Sequence, residues 1–522
     1  MKKQYLNHHT FLALGVSGLL ILTSLTGCST STASAGASVT TESGTSDSAI
    51  TFTRSEMFTD RDQDASYDTA GATTIRFSDA AITCEDNQVS ISDSTVTISS
   101  GGTYILSGSS AQAQIIIDTP DDDKVQLVLS DLTLSCKTSA PIYVRNADKV
   151  FITLADGSDN SLSTTGEFVQ TDDNNIDAVI FSKEDLTLNG TGSLTITSAY
   201  GYGIVSKDDL VVTGGTYTMT CAKHGLSGKD SVRILNGTFD LTTTKDGIHA
   251  SNDDDETLGY IYIAGGDFTI CSQDDGMHAD SALYIEDGTI DITESYEGLE
   301  GQTITILDGT ISIVSSDDGI NASGGSSSTS DSEPQQPDDN RDIDTPPEKR
   351  ELPDGQQSSD MTPPDGFSGN GGFNMDADES CSLTISGGDI SIDAGGDGID
   401  SNGYFYMTGG TVFVAGPESN GDSALDYGIS ASISGGTFLA TGYSGMAQSF
   451  SDDSEQCSYM IKLDTMIEAD SSTLTLTGAE GVVLLSHTTN KSYNCVIVSC
   501  PELTGGATYT LTTGSSSQEI TP

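Results

Sequence analysis

Apolar residues recur along the chain in columns that keep step with a turn glycine. Gly215, Gly237, Gly266, Gly288, Gly309, Gly388, Gly410 and Gly436 sit in short turns such as Thr213-Gly214-Gly215-Thr216, at spacings of 22, 29, 22, 21, 79, 22 and 26 residues. Three positions before the glycine stand Val212, Ile234, Ile263, Ile285, Ile306, Ile385, Met407 and Ile433. Two positions after it stand Tyr217, Phe239, Phe268, Ile290, Ile311, Ile390, Val412 and Phe438, and four after it Met219, Leu241, Ile270, Ile292, Ile313, Ile392, Val414 and Ala440. Thr, Ser and Asp fill most positions between. Such alternation is the period of two expected of strands with one buried face. Ten residues after the turn glycine a second glycine follows (Gly225, Gly247, Gly276, Gly298, Gly319, Gly398), and the residue after each of these is apolar.

A repeat of about 22 residues with short strands predicts an all-β chain wound as a parallel β-helix solenoid, successive turns about 4.8 Å apart. A leucine-rich horseshoe lacks support because its leucine spacing is absent, and a propeller needs about 40 residues per blade. The predicted β-helix spans residues 101–446. Uncapped ends would expose core and unpaired strand edges, so residues 51–100 are expected to form an N-terminal cap of irregular strands and residues 447–522 a C-terminal β cap. The 79-residue spacing carries a Pro-, Asp-, Ser- and Gly-rich excess over residues 323–379 that cannot build a core. The columns resume in register after it, which predicts a loop leaving one turn of a single solenoid.

The start of the chain has a different character. Lys2 and Lys3 precede an apolar run from Phe11 to Leu22, and Leu25-Thr26-Gly27-Cys28 follows. This reads as a secretory signal over residues 1–27 ending in a bacterial lipoprotein box, with Cys28 as the lipidated residue. Residues 28–50, rich in Ser, Thr, Ala and Gly, then form a flexible tether. The protein is expected at the extracellular face of the cell membrane, held there by the lipid.

Composition narrows the function. The chain of 522 residues has 77 acidic and 20 basic side chains, a net charge of −57. That argues against nucleic acid as a partner. It is compatible with solvation outside the cell and with divalent cation binding. The eight cysteines after Cys28 form no CxxC pair, so no cysteine zinc site is expected, and they read as small core fillers.

Several ordered segments resemble a known family. They include Lys124-Val125-Gln126-Leu127-Val128-Leu129, Ala147-Asp148-Lys149-Val150 running to Leu154-Ala155-Asp156-Gly157-Ser158, Ser182-Lys183-Glu184-Asp185-Leu186, Ser206-Lys207-Asp208-Asp209-Leu210, and Val498-Ser499-Cys500-Pro501-Glu502-Leu503 near the end. These resemble bacterial cell-surface carbohydrate-binding domains, typified by a clostridial protein that binds cellulose and polygalacturonate. The match runs from about residue 80 to residue 513. The resemblance implies a right-handed β-helix like that of pectate lyases, bound calcium, and a polysaccharide partner.

The candidate site lies in the second glycine track. Asp246, Asp275, Glu297, Asp318 and Asp397 precede its glycines, with Asp274 and Asp317 one position earlier. Two positions after the glycine come His249, His278, Glu300, Asn321 and Asp400, and Asp280 follows His278 closely. If the glycines stack, carboxylates on adjacent turns stand about 5 Å apart. Calcium between turns would remove their repulsion, so Asp246, Asp274, Asp275, Asp280, Glu297, Glu300, Asp317, Asp318, Asn321, Asp397 and Asp400 are the candidate ligands. The competing reading is an Asp-Gly turn chosen for backbone shape alone. His249 and His278 as a bare pair read as surface residues. Candidate glycan contacts are Tyr262, Tyr284 and Tyr406, read as one outward column, and Lys223 and Lys245 beside the acidic turns. The absence of Trp excludes a flat Trp platform for crystalline cellulose. Nothing marks a catalytic base. The expectation is therefore calcium-dependent, non-catalytic binding of an acidic polysaccharide or cellulose by a monomer. A calcium-dependent uronate lyase and a purely structural surface solenoid are the alternatives.

Overall fold

A computed structural model describes residues 52–84, 89–324, 377–469, 473–514 and 516–522. The expected signal segment, the tether with Cys28, and most of the 323–379 insertion lie outside the described residues. Within them the chain is all-β with almost no helix: two single helical turns, Arg54–Met57 and Asp60–Gln63, and a 3-10 turn at Ala479–Gly481. One sheet of 36 strands, mostly parallel, holds nearly everything.

Each strand of the repeats pairs in parallel with its equivalents one repeat away, which makes three stacks. The first stack follows the turn glycines: Thr216–Cys221, Thr238–Thr243, Asp267–Ser272, Thr289–Glu294, Thr310–Ser315, Asp389–Ala394 and Thr411–Ala415. Their side chains alternate exposed and buried. The apolar columns are therefore continuous. Ile270 pairs with Ile292, Ile292 with Ile313, and Ile313 with Ile392, all buried. The turn glycines are glycine for a backbone reason: Gly266 and Gly388 have φ of 117° and 86°, a region costly for side chains. Register holds across the insertion, Thr310 pairing with Asp389 and Thr303 with Ser382.

The second stack is short: Leu226–Gly228, Ile248–Ala250, the start of Met277–Ile285, the start of Leu299–Ile306, Ile320–Ala322 and Ile399–Ser401. Here glycine is required by close approach. A Cβ on Gly298 would meet the Gly319 carbonyl at 2.3 Å. The third stack contains Ser231–Ile234, Tyr260–Ile263, Ser382–Ile385, Tyr404–Met407 and Ser430–Ile433.

At the C-terminal end, Tyr493–Ser499 lies antiparallel on Thr437–Gly442 and is followed outward by Ser458–Ile467. A separate four-stranded antiparallel sheet completes this end. Cys495 and Cys500 are free thiols.

In the N-terminal segment the short strands Thr83–Cys84 and Val89–Ser92 pair antiparallel with Thr73–Phe77 and Thr95–Ile98. Strands Thr73–Phe77 and Thr95–Ile98 also join the parallel stacks. Residues 52–64, however, run along the outer face of the third stack. Asp62 accepts hydrogen bonds from Thr187 Oγ1 at 2.6 Å and pairs with Lys149 Nζ at 2.9 Å. Phe52 packs on Tyr260, Tyr262 and Tyr284, with ring centroids 5.0–5.5 Å apart, and Phe58 packs on Tyr262.

Candidate functional site

The second stack carries two parallel side-chain columns. The column before the glycines runs Tyr202, His224, Asp246, Asp275, Glu297, Asp318 and Asp397, and Ser423, which precedes Ala424, continues it. Its backbone forms an unbroken ladder: the amide N–H of each glycine donates to the carbonyl one repeat on, as in Gly247 to Asp275, Gly276 to Glu297, Gly298 to Asp318 and Gly319 to Asp397 (2.9–3.0 Å). The carboxylates reinforce it. Asp246 Oδ1 accepts from the Asp275 amide at 3.1 Å, Asp275 Oδ1 from the Glu297 amide at 3.0 Å, and Asp318 Oδ1 from the Asp397 amide at 2.6 Å. Asp397 likewise accepts from the Ser423 amide. The acid-glycine turn thus has a structural role, since it satisfies amides in a closely packed stack.

Asp246, Asp275, Asp318 and Asp397 each keep a second oxygen outside this ladder. The neighbouring column pairs His249 with His278, His278 with Glu300, Glu300 with Asn321, and Asn321 with Asp400. The two columns bring together Asp275, Glu297 and Glu300 in one group, and Asp318, Asp397 and Asp400 in another, each with one ligand atom per residue inside 4.8 Å of the others. Burial, then like charge nearby, pushes Glu297 up to about 9 and Asp318 and Asp397 to about 7. Asp275 also rises to about 7, chiefly from burial. Burial works against charge on His278, but Asp275, Asp280 and Glu300 around it push its imidazole well up. Asn321 donates to both oxygens of Glu297 at 3.1 and 3.0 Å, while its own Oδ1 is buried without a hydrogen-bond partner. An orphaned amide oxygen beside carboxylates that resist ionisation fits a hard divalent cation, whose ligands are oxygens.

The N-terminal end of the columns differs. Rings of Tyr202, His224, His249 and His278 stack in sequence, with centroids 5.1, 4.2 and 5.2 Å apart. These residues line a groove of about 310 Å³ together with Lys207, Lys229, Lys245, Asp246, Asp274 and Asp275.

The structure thus gathers Asp246, Asp275, Glu297, Asp318 and Asp397 in one column and Glu300, Asn321 and Asp400 in the next. It leaves Asp274 and Asp317 outside them. Asp274 pairs with Lys245 at 2.8 Å. Asp317 stands against the Tyr296 hydroxyl. Asp280 lies beyond the columns, 3.4 Å from His278 Nε2 and accepting from the Asn252 amide. Lys223 lies over the Tyr202 ring at 4.8 Å and near Asp177.

The tyrosine column needs correction. Tyr262 and Tyr284 do stack, at 5.4 Å. Yet Tyr262 is fully buried beneath Phe52 and Phe58, and its hydroxyl donates to Glu286 at 2.5 Å. Phe52 also packs on the Tyr284 ring. Neither offers a ring face to a sugar, because the N-terminal segment already occupies it. Tyr406 alone of the three is exposed. Sequence reading also missed Tyr202 and His224. Both precede glycines (Gly203 and Gly225) that join the same backbone ladder. Extending the column upstream, without requiring an acid, would have found them.

Together these features define an all-β repeat protein with a carboxylate-lined strand stack and a lysine- and histidine-lined groove at one end of it. A family model described as a carbohydrate-binding domain-containing protein matches residues 92–331. A carbohydrate-binding domain-containing protein of Acetivibrio thermocellus is 40% identical over 207 residues, 39% of this chain and 72% of that relative. A solved polysaccharide lyase-like protein from C. thermocellum, a gadolinium derivative, is 34% identical over 42% of this chain and 89% of its own, with a TM-score of 0.41. The chain belongs to this carbohydrate-binding domain family.

Proposed function

We propose that the protein is a calcium-dependent, non-catalytic polysaccharide-binding protein of the bacterial surface, monomeric and held by a lipid on Cys28. Its three strand stacks read best as the faces of a right-handed parallel β-helix. Membership of the carbohydrate-binding domain family supports a polysaccharide as the partner. The observation that carries the calcium reading is the double column of mostly half-buried acids with its orphaned Asn321 oxygen. Asp275, Glu297, Glu300 and Asn321 would hold one ion, and Asp318, Asp397 and Asp400 another. Calcium would supply open positions for uronate or hydroxyl oxygens.

An acidic glycan faces a protein of net charge −57. Lys207, Lys229 and Lys245 gather in the groove beside the columns, which offers one route past that repulsion. The preferred ligand class is therefore a uronate chain of the polygalacturonate kind, with cellulose as the neutral alternative. A glycan array probed with and without chelator tests the reading. Retention on uronate chains that disappears with chelator is expected. Retention on no glycan would favour a purely structural role. Appearance of unsaturated uronate products would make the protein a lyase.

A further inference from the structure

At the N-terminal end of the columns the donors change from oxygen alone to nitrogen and oxygen. Asp246 is buried, with its carboxylate between two imidazoles. His249 Nδ1 lies 2.7 Å from Asp246 Oδ2, and His224 Nδ1 lies 3.1 Å from the same oxygen. Asp246 Oδ1 is held by the Asp275 amide, which fixes Oδ2 toward the two rings. A metal with bonds of about 2.0–2.1 Å spans tetrahedral ligand edges of about 3.3 Å. The two nitrogen–oxygen edges need to open by only a few tenths of an ångström to reach that spacing, and the three ligand atoms lie within 4.8 Å of one another.

A second observation comes from His224. Its Nδ1 also lies 3.1 Å from the Asp246 amide nitrogen, which donates to it. A proton on Nδ1 would meet that N–H. Without one, the lone pairs of Nδ1 and Oδ2 face each other across 3.1 Å. No tautomer of His224 satisfies both contacts; a cation shared by Nδ1 and Oδ2 removes the repulsion and displaces the Asp246 N–H from the single Nδ1 lone pair.

We propose that His224, Asp246 and His249 form a site for a first-row transition divalent cation of the zinc class, separate from the oxygen-only positions lower in the columns. Two neutral imidazoles and one carboxylate select such an ion over calcium, which takes six to eight oxygens. His249 is only partly buried and lines the groove, so the ion has an entry path and an outward-facing fourth position. Asp246 therefore leaves the calcium ligand set to which its place before Gly247 had assigned it.

The test uses the full chain saturated with calcium. Co²⁺ is titrated in and read by its visible absorption, and Zn²⁺ is titrated calorimetrically. One ion per chain, persisting in excess calcium, is expected. His249→Ala should weaken it at least about tenfold, as should His224→Gln. Asp318→Asn with Asp397→Asn should leave it unchanged. His249 is partly exposed, so that variant should still fold, with some loss of stability from its missing contact to Asp246, and it remains informative if the His224 variant does not fold. Displacement of Co²⁺ by calcium, or Co²⁺ and Zn²⁺ affinities indifferent to His249→Ala, would overturn the site.

Discussion

Asp275 Oδ1 accepts the backbone amide of Glu297 at 3.0 Å, and the side chains of both residues resist ionisation. One carboxylate thus ties two repeats together while burial and its neighbours oppose its charge. The balance predicts how calcium and pH interact. Folding raises Asp275, Asp318 and Asp397 from 3.8 to about 7 and Glu297 from 4.5 to about 9. The folded chain therefore holds more protons than the unfolded chain between those values. Stability linked to these groups falls as pH rises through that window. Calcium binds the ionised carboxylates, so its stabilisation should grow over the same range. Melting temperatures measured with calcium and with chelator should differ little at pH 5 and clearly at pH 8. Equal differences at both pH values would argue against calcium among these acids.

The N-terminal segment should be a stabilising part of the fold rather than a detachable leader. Asp62 is buried against Lys149 and Thr187, and these partners hold its carboxyl at about 2 although burial works against ionisation. Asp62→Ala would leave Lys149 without its closest partner. A loss of about 3 kcal/mol is expected. The wild-type contribution is present above pH 3.8 and fades as pH falls toward 2. Release of the segment should also expose Tyr262. The chain lacks Trp, so tyrosine emission and its quenching report that exposure directly. A variant with parent melting and unchanged quenching would show that the segment contributes nothing there.

The core columns were legible because a single rule generates them. An apolar residue two or four positions after a turn glycine lands on the same buried line in every repeat, and Phe239, Phe268 and Ile290 obey it without exception. The acid columns were legible by the same stacking. What escaped was whatever the repeat does not encode. Tyr262 and Tyr284 look outward by their parity, and only a non-repeating segment more than 200 residues earlier, with Phe52 and Phe58, covers them. His224 escaped because the column was defined by charge, whereas position before a stacked glycine defines it physically. The two roles of Asp246, on an amide and between two imidazoles, depend on neighbours 22 and 29 residues away whose orientation no spacing specifies.

Ile292 and Ile313 pair directly and are both buried. Ile292→Asp would place a carboxylate inside an apolar column with no partner. A loss of about 4 kcal/mol or more is expected, enough to unfold many domains. Ile292→Val should cost only about 1 kcal/mol. Denaturant unfolding of the three proteins checks the order. Comparable midpoints for the Asp variant and the parent would place this column at the surface.

Glycan recognition should depend on the groove and not on Tyr406. The groove collects Lys207, Lys229 and Lys245 on the side of the molecule that also bears the acid columns. Two of these lysines already face carboxylates: Lys229 meets Asp254 at 2.5 Å, and Lys245 meets Asp274 at 2.8 Å. A uronate carboxylate would compete with those partners, so each lysine should contribute modestly. Lys207→Ala and Lys245→Ala should each weaken binding of a uronate chain about two- to fivefold. The losses should combine in the double variant, and the remaining binding should be less sensitive to salt. Tyr406 lies on the third stack, exposed and beside Tyr404, away from these lysines. Tyr406→Ala should leave uronate binding unchanged. Affinity electrophoresis in polygalacturonate, with calcium present and at two salt concentrations, separates the contributions. Retardation lost with Tyr406→Ala but kept in the double lysine variant would move the glycan site to the third stack.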